Sequence, residues 1–369
     1  MSDRVNQHFV PQFYFKQFSR GAGFIHLLLQ AADRIILNAS VKRQCARRKF
    51  YGPQELEDAF SKLEERHAEA LRALLSIAWS QNPPQMTPEI LAWLWEAVLF
   101  QRGRTALEIE KRWPAMEAQG LELFKQYLAH APGVEDRDQL IQQIEKGNVR
   151  INQPPQVTAL LSVEAALESV LLISDMDIHV LRNHTDYPFV FSDAPVVFYN
   201  TYLRDVTNRG VLGLQTPGLQ IFMPLDSRTL LMLSDGAVYS GPYKSATVYD
   251  VLNRSDVSQL NALQLHHSLN AVYFADEKAA GYVSDLWRAH KQPIVPPRAA
   301  FRVREDLLID GEPAGGSVYH TYEPQLNYPL SLSFVDCAPL KESGYRFSYR
   351  NRELVEENRK LHPHPGPAS

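Results

Sequence analysis

Apolar side chains recur at three- and four-residue steps along much of the first half of the chain. Between residues 53 and 75 the apolar residues follow this step while charged residues fill the opposite side, which predicts one long amphipathic helix. Thr87, Pro88 and Glu89 have the order of a helix cap and first turn, so a second long helix is predicted to begin there. This second helix is predicted to end or kink at Pro114.

Other stretches alternate with a period of two, which predicts strands. Residues 24–29 and 34–37 are predicted to form a hairpin near the start of the chain. Residues 177–182 and 189–191 are predicted to form a second hairpin, and residues 219–223 and 229–233 a third. A helix is predicted to follow with Ser255 as its cap, and then a short strand over residues 271–274.

Together these elements predict an α+β fold, in which an N-terminal β-hairpin and a section of long helices pack on a mostly antiparallel, mixed sheet. The polar, proline-containing stretch at 152–155 is the best boundary in the chain. The expected sections are therefore 1–152, 153–290 and a Pro- and Tyr-rich C-terminal extension over 291–369 with a disordered tail. We expect the sections to share one core.

Composition narrows the classes of protein that fit. The 369 residues are 45% apolar and 22% charged, which suits a folded protein, and a net charge of −4 gives no overall attraction for nucleic acid. Two distant cysteines, Cys45 and Cys337, indicate neither a disulfide framework nor a structural zinc site. The chain shows no signal-like start and no run of about 18 uncharged apolar residues, so we expect a cytoplasmic protein without membrane segments. The sequence leaves the oligomeric state open.

Several short motifs follow one another in a distinctive order, beginning with a histidine three residues before a helix-starting proline. The motifs are Gln7-His8-Phe9-Val10-Pro11 continuing to Phe18, Lys49-Phe50-Tyr51, Phe60 to Glu64, Gln101-Arg102-Gly103-Arg104-Thr105, Phe189 to Val196, Pro224-Leu225 and Leu252-Asn253. In this order they resemble the bacterial family of proteins of unknown function numbered 4238, over roughly residues 5 to 276. Where that family usually has Ser-Asp-Asn-Pro, this chain has Ala194 in place of the asparagine. The resemblance therefore implies which residues to consider, but it implies no reaction.

Four side chains are the candidate catalytic residues: His8, Asp193, Arg104 and Glu64. An imidazole can act as a general base, a metal ligand or a proton donor, although His8 could equally satisfy backbone groups near Pro11. Asp193 could reach a pocket at a strand end, or could accept backbone N–H bonds in a turn. Arg104 could hold a phosphate or carboxylate, or could form an internal ion pair with Glu64 or Glu108.

Six further side chains are candidates for binding a substrate: Gln7, Gln101, Ser192, Asn253, Arg47 and Arg48. Arg47 and Arg48 belong to a basic run over 42–49 that is followed directly by Phe50 and Tyr51. Such a run could bind phosphates and stack a base, or could be a solvated loop that neutralises the acidic start of the next helix. Ser192 lacks the flanking glycines of a nucleophile elbow.

Two functions from different classes fit these residues. In the first, the catalytic residues converge in one cleft and hydrolyse a phosphoester in nucleic acid or a nucleotide, which would suit a bacterial defence or toxin-like effector. A divalent metal is a candidate cofactor for this reaction. In the second, the same residues form a structural network, and the protein is a non-catalytic module that binds a ligand or another protein. A solvent-reachable pocket shared by His8, Asp193 and Arg104 would favour the first, whereas their separation or burial in the core would count against it.

Overall fold

The structure is a computed structural model that describes residues 6–19, 23–131, 133–206, 209–291, 298–304, 308–309, 312–313, 318–340 and 348–363. The helices in these ranges are α1 (Gln12–Ser19), α2 (Gln54–Trp79), α3 (Pro88–Gly103), α4 (Ala106–His130), α5 (Arg137–Glu145), α6 (Pro155–Glu168), α7 (Arg254–His266), α8 (Ala280–His290) and α9 (Arg352–Leu361). The long helix expected at 53–75 is therefore confirmed as α2. The predicted disordered tail falls largely on residues 364–369, which lie outside the described ranges.

Most of the strands are short. They are β1 (Asn6–His8), β2 (Phe24–Leu29), β3 (Arg34–Ser40), β4 (Ala46–Arg48), β5 (Asp177–Asn183), β6 (Phe191–Ser192), β7 (Val197–Tyr199), β8 (Gln220–Pro224), β9 (Thr229–Ser234), β10 (Tyr239–Ser240), β11 (Val248–Val251), β12 (Ala271–Phe274), β13 (Ala300–Arg304), β14 (Leu308–Ile309), β15 (Glu312–Pro313), β16 (Val318–Tyr322) and β17 (Asp336–Cys337). Helices and mainly antiparallel strands occur in separate runs, so the fold is α+β, as predicted.

Two larger sheets organise the strands. One has the order β11-β5-β9-β8-β7, in which only the β11–β5 pair is parallel, and the other has the antiparallel order β3-β2-β12-β6. The predicted hairpins β2–β3 and β8–β9 are both confirmed. Because β2 pairs with β12 on one side and with β3 on the other, strands from the beginning of the chain and from beyond residue 270 belong to a single sheet.

The predicted hairpin between residues 177–182 and 189–191 is wrong. β5 pairs with β9 and β11, whereas β6 pairs with β12 in the other sheet. The turn between them is held by the Asn183 side chain, which donates to the Tyr187 carbonyl at 2.6 Å and accepts from the Thr185 backbone N–H at 2.9 Å. These bonds turn the chain away from β5, so that it crosses between sheets instead of folding back.

The predicted end of the second long helix is also displaced. α3 ends at Gly103, and α4 begins at Ala106 and continues through Pro114. Thr105 is extended and its hydroxyl accepts the Glu108 backbone N–H at 3.3 Å, so it caps a new helix. Arg104 therefore lies at a junction between two helices and not within one.

An aromatic cluster joins the beginning of the chain to the sheet that contains β6 and β12. Phe15 on α1 packs edge-on against Phe191 and Tyr273, with ring centroids 5.1 and 5.0 Å apart, and Phe18 lies 4.3 Å from Phe191. Tyr14 donates its hydroxyl to the Pro224 carbonyl. Burial of these rings fixes α1, and with it the strand β1 that precedes it.

The C-terminal extension packs on the same body. Leu330, Leu332 and Phe334 are buried in a core cluster with residues of β5, β9 and α7. Arg350 forms an ion pair with Asp175 at 2.7 Å. None of the helices in the described part of the chain combines the length and the apolar composition that crossing a bilayer requires.

Candidate functional site

The opening motif is held in a two-stranded pair. β1 runs antiparallel to β4, with His8 opposite Ala46, Gln7 opposite Arg47 and Asn6 opposite Arg48. Side chains alternate along a strand, so Gln7 points inward, where it is buried, while Asn6 and His8 share the other face.

Gln7 is a structural side chain in this arrangement. Its amide oxygen accepts the Tyr51 backbone N–H at 2.7 Å, and its amide nitrogen donates to the Gly52 carbonyl at 3.3 Å. Gly52 has a φ of +99°, a conformation that side chains rarely adopt. Gln7 therefore fixes a turn just before α2 that requires glycine at position 52.

Arg104 is enclosed, with 1% of its surface exposed. It donates to the His8 carbonyl at 2.6 Å, to Glu64 Oε1 at 2.6 Å and to the Tyr51 hydroxyl at 3.2 Å, and it lies 4.8 Å from the centre of the Phe100 ring. The expected alternative for Arg104, an internal ion pair with Glu64, is thus present. This guanidinium positions the backbone of His8 and does not open to a ligand.

Gln101, one helical turn before the α3–α4 junction, has a structural role similar to that of Arg104. It is buried, and its amide donates to the Phe9 carbonyl at 3.0 Å. Gln101 and Arg104 thus bond to consecutive carbonyls of the opening motif, at Phe9 and His8. The two motifs that stand far apart in sequence are joined by these bonds.

His8 is the half-buried member of the group. Its Nε2 lies 3.3 Å from the Lys42 carbonyl oxygen. Burial, together with the nearby charge of Arg104, lowers the pKa of His8, and the Lys42 carbonyl and Glu64 oppose this only in part. The imidazole is therefore neutral at neutral pH, which is the form that accepts a proton.

A cleft of about 500 Å³ opens beside His8. It is lined by Asn6, His8, Pro11, Gln12, Phe13, Glu57, Ser61 and Glu64. Glu57 and Ser61 were missed from the sequence. Their spacing from Glu64, at steps of four and three, places all three on one face of α2, and this signal could have identified them.

Asp193 and Ser192 lie elsewhere, in the interior. The Asp193 carboxylate accepts the backbone N–H groups of Leu269 and Asn270, each at 2.8 Å, and Ser192 donates to Gln264 at 2.9 Å. Burial raises the pKa of Asp193 to about 6, although the backbone N–H groups oppose this. The structure thus brings His8, Arg104 and Glu64 together and leaves Asp193 in a buried turn beside β12. Arg104 and Asp193 are both enclosed, so the expected solvent-reachable pocket shared with His8 is not formed, and this counts against a reaction that uses Asp193.

Asn253 is the N-cap of α7. Its side chain accepts the Ser255 backbone N–H at 2.9 Å. The sequence-based prediction that Ser255 is the cap is therefore wrong, because α7 begins at Arg254. Asn253 is exposed and is not among the residues that line the cleft beside His8. Its observed contact is structural.

The cations of the basic run lie on the surface, whereas the two aromatic residues that follow the run lie in the core. Lys42, Arg43, Arg47, Arg48 and Lys49 are all exposed. Arg47 forms a 3.3 Å ion pair with Glu110. Phe50 and Tyr51, by contrast, are buried, so they are not available to stack on a base. The cations remain as an exposed strip beside the cleft.

No group of three or more His, Cys, Asp and Glu side chains in the described ranges is placed to hold a metal ion. Glu64 and His67 lie one turn apart on α2, a spacing that metal sites in helix bundles use, but each has another partner: Glu64 binds Arg104, and His67 Nε2 lies 2.7 Å from Glu96 Oε1.

The fold and the cleft define an α+β protein whose polar motifs hold an N-terminal histidine at the edge of a pocket. The family model described as "Protein of unknown function (DUF4238)" matches residues 6–278, most of the chain, and the chain belongs to this family. The predicted resemblance is therefore confirmed. Neither a curated protein nor a solved structure matches the chain significantly.

Proposed function

We propose that the protein is a hydrolase acting on a phosphoester in nucleic acid or a nucleotide, with His8 as the general base. One observation carries the proposal: a half-buried imidazole with a lowered pKa borders a cleft of about 500 Å³ that also contains Glu57 and Glu64. The neutral ring would accept a proton from a water molecule as the water oxygen attacks phosphorus. The P–O bond to the leaving group would break, and that oxygen would take a proton from solvent.

Arg48 supports a phosphate-bearing substrate. It lies opposite Asn6 in the β1–β4 pair, and opposite residues of an antiparallel pair project from the same face. Arg48 is exposed and forms no ion pair with any residue that the structure describes. Its guanidinium is therefore available to a phosphate at the face that Asn6 and His8 share.

The remaining motif residues would act through His8. Gln7 and Arg104 fix the backbone on either side of the imidazole, and Glu64 holds Arg104. They are positioning residues under this proposal. A role as a defence or toxin-like effector is the biological setting that such an activity would suit, and it depends on the activity.

The test is hydrolysis by the purified full chain. Single-stranded RNA, single- and double-stranded DNA and nucleoside triphosphates are supplied with Mg²⁺, with Mn²⁺ or with EDTA. We expect cleavage of at least one substrate, and a loss of roughly 100-fold or more in His8→Gln, because a general base contributes about that much. His130→Gln is the matched control, since His130 is exposed on α4 and bonds only within its own helix turn.

Two results would count against the proposal: no substrate is cleaved under any condition, or His8→Gln is as active as the His130→Gln control. Thermal midpoints of both variants show whether a loss reflects unfolding. Within the described ranges the His8 ring forms a single long bond, to the Lys42 carbonyl, so we expect both midpoints to stay near that of the wild type.

The alternative is a non-catalytic binding module. It is favoured by the internal bonds of five motif side chains, because Gln7, Gln101, Arg104, Ser192 and Asp193 all bond to the chain itself. The exposed strip over residues 42–49 would then bind a polyanion without cleaving it. Fluorescence anisotropy with labelled RNA separates the two: Arg48→Gln weakens binding in both cases, but only the enzyme also releases shortened products.

A further inference from the structure

A second cavity, of about 360 Å³, opens between α3, α4, α6, the loop over residues 210–216 and the C-terminal end of β16. Its walls include Arg102, Arg112, Phe198, Tyr322 and Glu323. This volume falls in the range of small-molecule sites. The cavity shares no lining residue with the cleft beside His8.

A buried ionic cluster forms one side of this cavity. Glu323 contacts Arg102 and lies 2.9 Å from Lys111 Nζ, and Lys111 lies 2.5 Å from Glu108. Arg112 contacts Glu108 in turn. Burying charged groups costs free energy even when they are paired, and an apolar replacement of similar volume is often at least as stable. A cluster of this kind beside a cavity is therefore a candidate binding site.

The cluster carries one excess positive charge. Its cations are Arg102, Lys111 and Arg112, and its anions are Glu108 and Glu323. Burial by itself would raise the pKa of Glu323, but the charges of Arg102 and Lys111 outweigh it and lower that pKa to about 2, so Glu323 stays ionised and paired.

His267 packs behind the cluster and adds no charge to it. Burial lowers its pKa to about 4, and the charges of Arg102 and Lys111 act in the same direction. His320 and Tyr322 are the remaining titratable side chains on the cavity wall. With His267 neutral, the cluster favours an anion in the cavity.

Arg112 is the cation that can reach such an anion. Its side chain is 44% exposed, and its Nε faces Glu108. Its two terminal nitrogens form no hydrogen bond with any residue in the described ranges. Arg102 is less available, because its terminal nitrogens contact the Val196 carbonyl and Glu323, and its guanidinium lies 3.8 Å from the centre of the Phe198 ring.

We infer that this cavity binds a small molecule through a carboxylate or phosphate group, held by the two terminal nitrogens of Arg112. Two parallel N–H bonds from one guanidinium match the geometry of either group. Phe198, Tyr322 and the aliphatic side chains of Leu99, Leu212 and Leu214 form apolar parts of the wall. The site is independent of the reaction proposed at His8, and Tyr322 and Glu323 lie beyond residues 6–278 that the family model matches.

The test measures binding of small anions to the purified full chain by isothermal titration calorimetry. The probes are inorganic phosphate, AMP and succinate, so that the phosphate and carboxylate sources are distinguished. We expect at least one probe to bind, and Arg112→Gln to weaken it by about tenfold or more, the loss typical of a charge-assisted bond. Arg288→Gln is the control, since Arg288 is also helical and also pairs with a carboxylate, at Asp285.

A second pair of variants leaves the ionic cluster intact. Ala165 lines the cavity from an exposed position on α6, so Ala165→Glu should add a repelling charge without disturbing the core. Ala165→Gln adds the same bulk without the charge. We expect the first to weaken probe binding several-fold more than the second. Failure of all three probes to bind, or equal binding by Arg112→Gln and wild type, would overturn the inference.

Discussion

The guanidinium of Arg104 donates a hydrogen bond to the backbone carbonyl oxygen of His8 across 2.6 Å. Ninety-six positions of sequence separate these two residues. The bond joins the α3–α4 junction to the strand that carries the imidazole, and the same guanidinium binds Glu64 on α2. Three separate segments of the chain therefore meet at Arg104, and the position of His8 depends on it.

Removing the Arg104 guanidinium is expected to destabilise the fold. Arg104→Gln would leave the His8 carbonyl without its donor and would remove the ion pair with Glu64, whose side chain is 25% exposed at the cleft, a loss of about 1–3 kcal/mol in the free energy of unfolding. Arg104→Lys should recover only part of this, because an ammonium cannot reach both acceptors in the same plane. Urea denaturation measures both variants.

The matched control for Arg104 is Arg66→Gln. Arg66 also pairs with a glutamate on a neighbouring helix, at 2.6 Å from Glu96, but its side chain is 38% exposed. A pair of this kind contributes about 1 kcal/mol or less. Equal losses of unfolding free energy in Arg104→Gln and Arg66→Gln would contradict the structural role assigned to Arg104.

The proposed reaction has an expected pH dependence. Because the pKa of His8 is lowered from 6.5, the imidazole is unprotonated at and above that pH. The initial rate should therefore be level near neutral pH and fall as the pH drops below about 6.5 and through the pKa of the folded protein. Rates measured across this range test the assignment. Any residual activity of His8→Gln should lack this acidic fall; if the fall persists, another group is the base.

Asp193 is expected to matter for stability and not for turnover. Asp193→Asn would replace one of the two oxygens that accept the Leu269 and Asn270 N–H groups, and leaving a buried N–H unpaired costs about 1–3 kcal/mol. Chemical denaturation measures the loss. Activity per folded molecule should stay within about twofold of the wild type; a large drop in a folded variant would place Asp193 in the reaction.

Gly103 is predicted to be required by helix packing. A Cβ at this position would lie 2.8 Å from Ala166 Cβ and 2.8 Å from the Ser162 carbonyl oxygen on α6. Gly103→Ala should therefore cost about 1–3 kcal/mol, even though alanine has the higher helix propensity. Gly120→Ala is the control: its Cβ would meet only the terminal methyl of Ile151, which can move. In thermal melts, Gly103→Ala should lower the unfolding midpoint clearly more than Gly120→Ala does.

His267 is expected to make the fold sensitive to acid. Its Nδ1 lies 2.9 Å from the Ala194 carbonyl, and burial lowers its pKa to about 4. The unfolded chain takes up this proton near pH 6.5, whereas the folded chain takes it up only near pH 4. Between these values the folded state therefore loses about 1.4 kcal/mol of stability for each pH unit as the pH falls.

His267→Gln isolates this contribution, because the glutamine amide can still donate to Ala194. Unfolding free energies of wild type and variant are measured from pH 7 down to pH 4. The difference between the two curves should change steadily in favour of the variant as the pH falls below about 6.5. His266, which also has a lowered pKa, is present in both proteins and cancels. A pH-independent difference would contradict the prediction.

Local pattern predicted much of the secondary structure. α2 and the hairpins β2–β3 and β8–β9 follow directly from periodicity, because burial of one face is a property of neighbouring positions. The errors occur where a single side chain redirects the backbone. Thr105 caps a new helix before Pro114, and Asn183 turns the chain from one sheet to the other, and neither effect has a periodic signal.

The sequence determined the ordered motifs and therefore the family, and it identified His8, Arg104 and Glu64 as residues of interest. Only the tertiary structure decided what they contact. It placed Arg104 against the His8 carbonyl, directed Asp193 to backbone N–H groups, and left the Arg112 side chain 44% exposed at a cavity while Arg104 is enclosed. The physical reason is that burial and partner choice depend on which distant segments pack together, and a one-dimensional pattern does not contain that information.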